Sequence, residues 1–117
     1  MAIFTSMKAS FIADERTTAE SIARSQIESV KEQDYIEATG IGGEVIYLEI
    51  IGIPDGYTVW SINRAEETVE DIVGIPWDSQ NNIARGDDVG LQRIKLLIQH
   101  HGKDILTLEG YKVDENT

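Results

Sequence analysis

The stretch at residues 44–51, EVIYLEII, constrains the fold more than any other part of this chain. Ile46, Leu48 and Ile50 form one wholly apolar set at alternate positions, and Val45, Tyr47 and Ile51 nearly complete the other. Successive side chains of a strand point to opposite faces, so this segment is apolar on both. Such a strand is expected at the centre of a sheet, covered on both sides. Pro54, Asp55 and Gly56 then make a turn, with proline fixing φ and glycine taking the left-handed position. Residues 57–62 are expected to return as the second strand of a hairpin.

The remaining elements follow from periodicity. Ile3, Met7, Ala9, Phe11 and Ala13 alternate with Ser6, Lys8 and Ser10, which predicts a half-buried strand over residues 3–13. Thr17 and Glu20 have the spacing of a capping box, and Ala19, Ile22, Ala23, Ile27 and Val30 then recur at helical spacing, predicting a helix over residues 18–33. Glu20 and Arg24 form an i,i+4 pair on its wet face. Residues 35–39 form a short strand candidate, broken by Gly40, Gly42 and Gly43. Asn63 and Glu66 would cap a second helix with Ala65, Val69, Ile72 and Val73 as its buried stripe, stopped by Gly74 and Pro76. A loop is expected over residues 75–86. Asp87 or Asp88 would cap a third helix, with Leu91, Ile94, Leu97, Ile98 and His101 on one face and Gly102 at its end. Residues 105–113 form the last strand, and residues 114–117 are expected to fray.

The implied fold class is α+β: one mainly antiparallel sheet of about five strands, in the order β-α-β-β-β-α-α-β, with the helices packed on one face. The length of 117 residues fits a single globular domain over residues 1–117. A central hairpin apolar on both sides has more apolar surface than helices on one side can cover, so a homodimer or higher oligomer is expected.

Composition narrows function. The chain has no cysteine, which excludes a disulfide scaffold, a thiolate metal site and a cysteine nucleophile. Its net charge is −11, from 21 acidic and 10 basic side chains, which argues against binding a nucleic-acid backbone. Neither a run of the ~20 apolar residues needed to span a bilayer nor a signal-peptide pattern occurs, so no membrane association and a cytoplasmic location are expected.

Acidic residues crowd Glu66, Glu67, Glu70 and Asp71, and Glu70 and Asp71 lack basic partners four residues on. Together with Asp87, Asp88 and the aromatic Trp77 they suggest a docking surface for a basic protein. The leading expectation is therefore a small acidic, non-enzymatic binding protein that inhibits or neutralises a partner, in the manner of an immunity protein or a phage counter-defence inhibitor. The alternative is an oligomeric domain that sequesters an anionic ligand or nucleotide through Arg24, Gly42, Gly43, Arg64, Arg85 and Arg93. A small enzyme using carboxylates or histidine is the third reading. His100 and His101 are the only histidines, and on a helix adjacent side chains diverge by about 100° and do not share a metal. No catalytic residue, metal or cofactor is assigned.

Overall fold

The computed structural model describes residues 2–39, 43–62 and 71–115, with residues 2–13 described by their backbone. Among the described residues one helix, α1 (Ala2–Glu32), precedes β1 (Val45–Leu48), β2 (Tyr57–Ser61), β3 (Asp71–Asp78), β4 (Ile83–Ala84), β5 (Leu91–His100) and β6 (Lys103–Val113). All strand pairs are antiparallel.

The order within the sheet is β1-β3-β5-β2, with β6 also on β5 and β4 on β3. Ile94 of β5 faces both Gly74 of β3 and Gly110 of β6, while Ile98 faces both Val59 of β2 and Leu106 of β6. Thus β3 and β2 lie end to end along one side of β5, and β6 runs along the other. The β5–β6 connection is the two-residue turn His101-Gly102, whose φ angles of 52° and 79° match the left-handed pair that a tight hairpin requires.

Helix α1 packs on one face of this sheet. Ala19, Ile22, Ala23, Gln26, Ile27 and Val30 are its buried stripe. Tyr47, Val59, Ile72, Ile94, Leu96 and Ile98 are their fully buried counterparts from four strands. Two glycines permit close contacts in this core, one between helix and sheet and one within the sheet. A side chain on Gly110 would come within 2.9 Å of the Ile27 side chain, and one on Gly74 within 3.0 Å of the Tyr47 ring.

Several sequence expectations are corrected. Residues 3–13 belong to α1, and Thr17 lies inside the helix where no capping box forms. No glycine or proline occurs before Gly40, so nothing interrupts a helix. Ile3, Met7 and Phe11 fit a four-residue spacing as well as a two-residue one. Residues 35–39 are not a strand. The second helix is overturned where it is described: Ile72, Val73 and Gly74 are strand residues of β3, and residues 63–70 lie outside the described residues. The loop over residues 75–86 is largely β3, a turn and β4.

The third helix is also a strand. Along β5, Gln92, Ile94, Leu96 and Ile98 are buried in strict alternation. A stretch reading LQRIKLLIQH satisfies both periods. Finally, β1 is an edge strand paired with β3, and the expected β1–β2 hairpin does not form. The turn at residues 54–57 does form, closed by Tyr57 N–H donating to Pro54 O at 3.1 Å, with Gly56 at φ 86°. Asp114 is held by its N–H donating to Gly90 O at 2.9 Å.

Candidate functional site

A groove of about 810 Å³ lies between α1 and the chain that leaves β1. On the helix side it is lined by Thr17, Ser21, Ser25 and Ser29, spaced four residues apart and therefore stacked along one helical face. On the other side stand residues 48–54. Ile22, between the two, belongs to the core. Small hydroxyl side chains keep the helix wall low and polar. The facing wall is apolar and open: Leu48 is 66% exposed and Ile51 is 100% exposed.

Two glutamines one heptad apart hold that wall in place. Gln26, fully buried in the apolar stripe of α1, donates from Nε2 to Leu48 O at 3.0 Å and accepts from Ile50 N–H at 2.8 Å through Oε1. Gln33, just past the helix, donates to Leu48 O at 3.1 Å and accepts from Leu48 N–H at 2.9 Å. A carboxamide has the donor and acceptor of a peptide unit. The two side chains therefore stand where a neighbouring strand would, and satisfy the outer edge of the chain at residues 48–50. The edge-strand position of β1 follows from this. The sequence signal was present: Gln26 is an amide in an otherwise apolar helical stripe.

A second polar cluster is centred on Asp88. Its carboxylate accepts from the Tyr35 hydroxyl, from Ala38 N–H (2.9 Å), from Gly90 N–H (2.9 Å) and from Gln92 Nε2 (2.7 Å). Gln92 also donates to Ile36 O at 2.7 Å and accepts from the Tyr47 hydroxyl at 2.5 Å. This network fastens residues 35–38 over the start of β5. Burial by itself would raise the Asp88 pKa, but the donors from Tyr35, Ala38, Gly90 and Gln92 outweigh it and hold the carboxyl below its ordinary value. Burial, with the hydrogen bond to Asp88, raises the Tyr35 hydroxyl far above the usual tyrosine value.

A third cluster closes the C-terminus of α1. Lys112, 3% exposed, donates from Nζ to the carbonyls of Val30 (2.6 Å), Lys31 (3.0 Å) and Gln33 (2.5 Å). An ammonium thus meets the negative end of the helix dipole and three carbonyls at the end of the helix, of which Val30 O also accepts from Gln33 N–H at 3.2 Å.

The histidines sit at the opposite end of the sheet. His100 Nδ1 lies 2.6 Å from Glu15 Oε2, and its ring stacks on Tyr57 at 4.1 Å. The His100 and His101 rings are 4.2 Å apart, so these side chains, at a strand end and in a turn, are neighbours and do not diverge as they would on a helix. Among the described residues, no group of three or more histidine and carboxylate side chains is placed to hold a metal.

The residues singled out from the sequence are distributed as follows. Glu66, Glu67, Glu70, Gly42 and Arg64 lie outside the described residues. Asp71 opens β3 opposite Leu48, whereas Asp87 and Asp88 precede β5, whose start lies beside the other end of β3. At about 3.3 Å per strand residue these positions are roughly 20 Å apart. Asp88 points inward. Asp87 stays exposed and pairs with Arg85 at 3.5 Å. Trp77 is 7% exposed, with the Arg93 guanidinium 4.1 Å over its ring, so it is a packed residue and not a protruding anchor. Arg85 pairs with Asp78 at 3.0 Å and Arg93 with Glu109 at 3.4 Å. Arg24 is exposed on α1, and Gly43 lies just ahead of β1. Arg24, Arg85 and Arg93 therefore do not converge on one cavity.

No helix among the described residues is long and apolar enough to cross a membrane. No protein-family model, curated protein or solved structure matches this chain.

Proposed function

We propose that this chain is a small acidic binding protein, not a catalyst, that neutralises a protein partner by seating part of it in the groove between α1 and residues 48–54. The observation that carries this reading is that groove: a row of hydroxyls faces a fixed, solvent-exposed apolar wall. Exposed apolar surface of this kind, beside polar groups, suits a protein contact. The other polar clusters are committed to the fold. Asp88 is engaged by four donors, and Lys112 is spent on three carbonyls.

The net charge of −11 selects the partner's sign. A cationic protein is drawn in over long range and then held by apolar insertion, so association is fast and salt-sensitive. An inhibitor of a basic enzyme, such as an immunity protein or a counter-defence protein, fits both features. The test is capture of partners at low salt followed by a salt gradient, with Ser25→Trp filling the groove and Ile51→Asp altering its wall. A basic partner retained by the native chain and lost by both variants supports the reading. A partner held equally by all three proteins, or unaffected by salt, overturns it.

A further inference from the structure

We propose that a second copy of this chain pairs with the first along β6, forming a continuous sheet across a two-fold axis near Leu108. This surface is distinct from the groove.

Among the described residues the outer edges of the sheet differ, and that of β4 is only two residues long. The outer edge after β1 is satisfied by Gln26 and Gln33. Strand β2 is five residues long. Strand β6 is 11 residues long and, among the described residues, pairs with β5 alone. Its backbone polarity is fixed by its partner: Asp114 N–H donates to Gly90 O, and Lys112, Gly110, Leu108 and Leu106 are the matching positions along the regular ladder. In an antiparallel ladder the intervening residues turn their N–H and C=O outward. Thr107, Glu109, Tyr111 and Val113 therefore present an unpaired edge, the usual template for another strand.

What favours a second copy over some other strand is the charge pattern on α1 beside that edge. Arg16, Glu20, Arg24 and Glu28 alternate in sign at four-residue spacing. Arg16, Glu20 and Arg24 line a hollow of about 220 Å³ with Leu106, Thr107 and Leu108, so this stripe borders β6. Ile27 lies against Gly110, and the carbonyls of Val30 and Lys31 meet Lys112, so α1 and β6 advance in the same direction. From rises of about 1.5 Å and 3.3 Å per residue, Leu108 stands beside residues 22–23 of the helix.

A two-fold axis through Leu108 therefore runs the two helices antiparallel about a centre between Glu20 and Arg24. It places Glu20 opposite the second copy's Arg24, and Arg16 opposite its Glu28, each twice. On the strands it pairs Thr107 with Glu109 and Ile105 with Tyr111. Strands lie about 4.8 Å apart, so helices seated between β5 and β6 in each copy stand roughly 10 Å from one another, the distance of packed helices. The pattern is complementary to itself only in this antiparallel sense.

Sedimentation equilibrium of the full chain, from micromolar to submillimolar concentration, tests the inference. The native chain is expected to dimerise. Glu20→Arg alone and Arg24→Glu alone each weaken the dimer by about tenfold, because like charges then face each other. An equimolar mixture of the two recovers it as a heterodimer, a result that a purely intrahelical role for these charges would not give. Thr107→Pro removes an outward N–H, keeps every bond to β5 and abolishes the dimer. Far-UV circular dichroism confirms that each variant is folded. A native chain that stays monomeric throughout, or a dimer unchanged by the charge reversals and by Thr107→Pro, overturns the proposal.

Discussion

Replacing Lys112 with methionine isolates what the buried ammonium contributes. Methionine keeps most of the aliphatic packing and removes the charge. Three contacts are lost, to the carbonyls of Val30, Lys31 and Gln33 at 2.5–3.0 Å. A hydrogen bond involving a charged group is worth about 1.5–3 kcal/mol, and the interaction with the helix end adds about 0.3–2 kcal/mol. Against this stands the cost of burying an ammonium, several kcal/mol, which the variant avoids. The balance is a loss of about 2–4 kcal/mol, because the carbonyls of Lys31 and Gln33 stay at a closed helix end with nothing to replace Nζ, and Val30 O keeps only the Gln33 N–H at 3.2 Å. For a chain of 117 residues, an unfolding entropy of about 2.1 cal/mol/K per residue converts that loss to a fall in Tm of roughly 8–16 °C. Urea unfolding followed at 222 nm gives the free energy, and amide exchange over residues 28–33 localises it. A methionine variant within about 0.5 kcal/mol of the native chain would refute the reasoning, since a surface change away from special features does no more than that.

Three further outcomes are expected. Gln26→Leu leaves Ile50 N–H without its acceptor and costs about 1–3 kcal/mol, read as faster exchange of the Ile50 amide. Gly74→Ala drives a methyl group to 3.0 Å from the Tyr47 ring and 3.1 Å from Gln92 Oε1, a destabilisation of about 1–3 kcal/mol by urea titration. For Asp88 the folded pKa lies below the unfolded one, near 3.9, so its carboxylate contributes stability above that pH and the contribution disappears as pH falls through the folded value. Asp88→Asn therefore flattens the stability profile below about pH 4, and an unchanged acid transition would contradict the network around Tyr35 and Gln92.

How far the fold could be read depended on whether one period dominated. The second half of α1 was legible, because Ala19, Ile22, Ala23, Ile27 and Val30 fit only a helix. The last strand and the turn at Gly56 were legible for the same kind of reason. Residues 91–100 were not, because Leu91, Ile94, Leu97 and Ile98 satisfy one period while Ile94, Leu96 and Ile98 satisfy the other. His101-Gly102 decides between them: followed by Ile105, Leu106 and Leu108, it is a hairpin turn and not a helix stop. Strand pairing was beyond reach for a different reason. Residues 44–51 look central by hydropathy, yet their neighbours depend on Gln26 and Gln33, far away in the chain, which occupy the hydrogen-bonding edge that a second strand would need. The groove was invisible with them, since its apolar wall reads as core until its edge position is known.

That edge position also explains why a strand apolar on both faces does not have to lie inside the sheet. Hydropathy prescribes cover for side chains, whereas pairing is prescribed by the backbone, and the two requirements separate wherever side-chain amides can serve the backbone. Gln26 and Gln33 do so here at the cost of burying one carboxamide completely, a cost offset because both its donor and its acceptor are engaged. The result is a chain segment held in extended geometry with Leu48 and Ile51 facing solvent. Fixing that geometry before any partner arrives removes the entropy of ordering it on binding, about 1–2 kcal/mol for each backbone residue held. The same device covers the backbone edge at residues 48–50, whereas among the described residues β6 pairs with β5 and leaves its other edge open. The groove's apolar wall thus owes its position to this pair of glutamines.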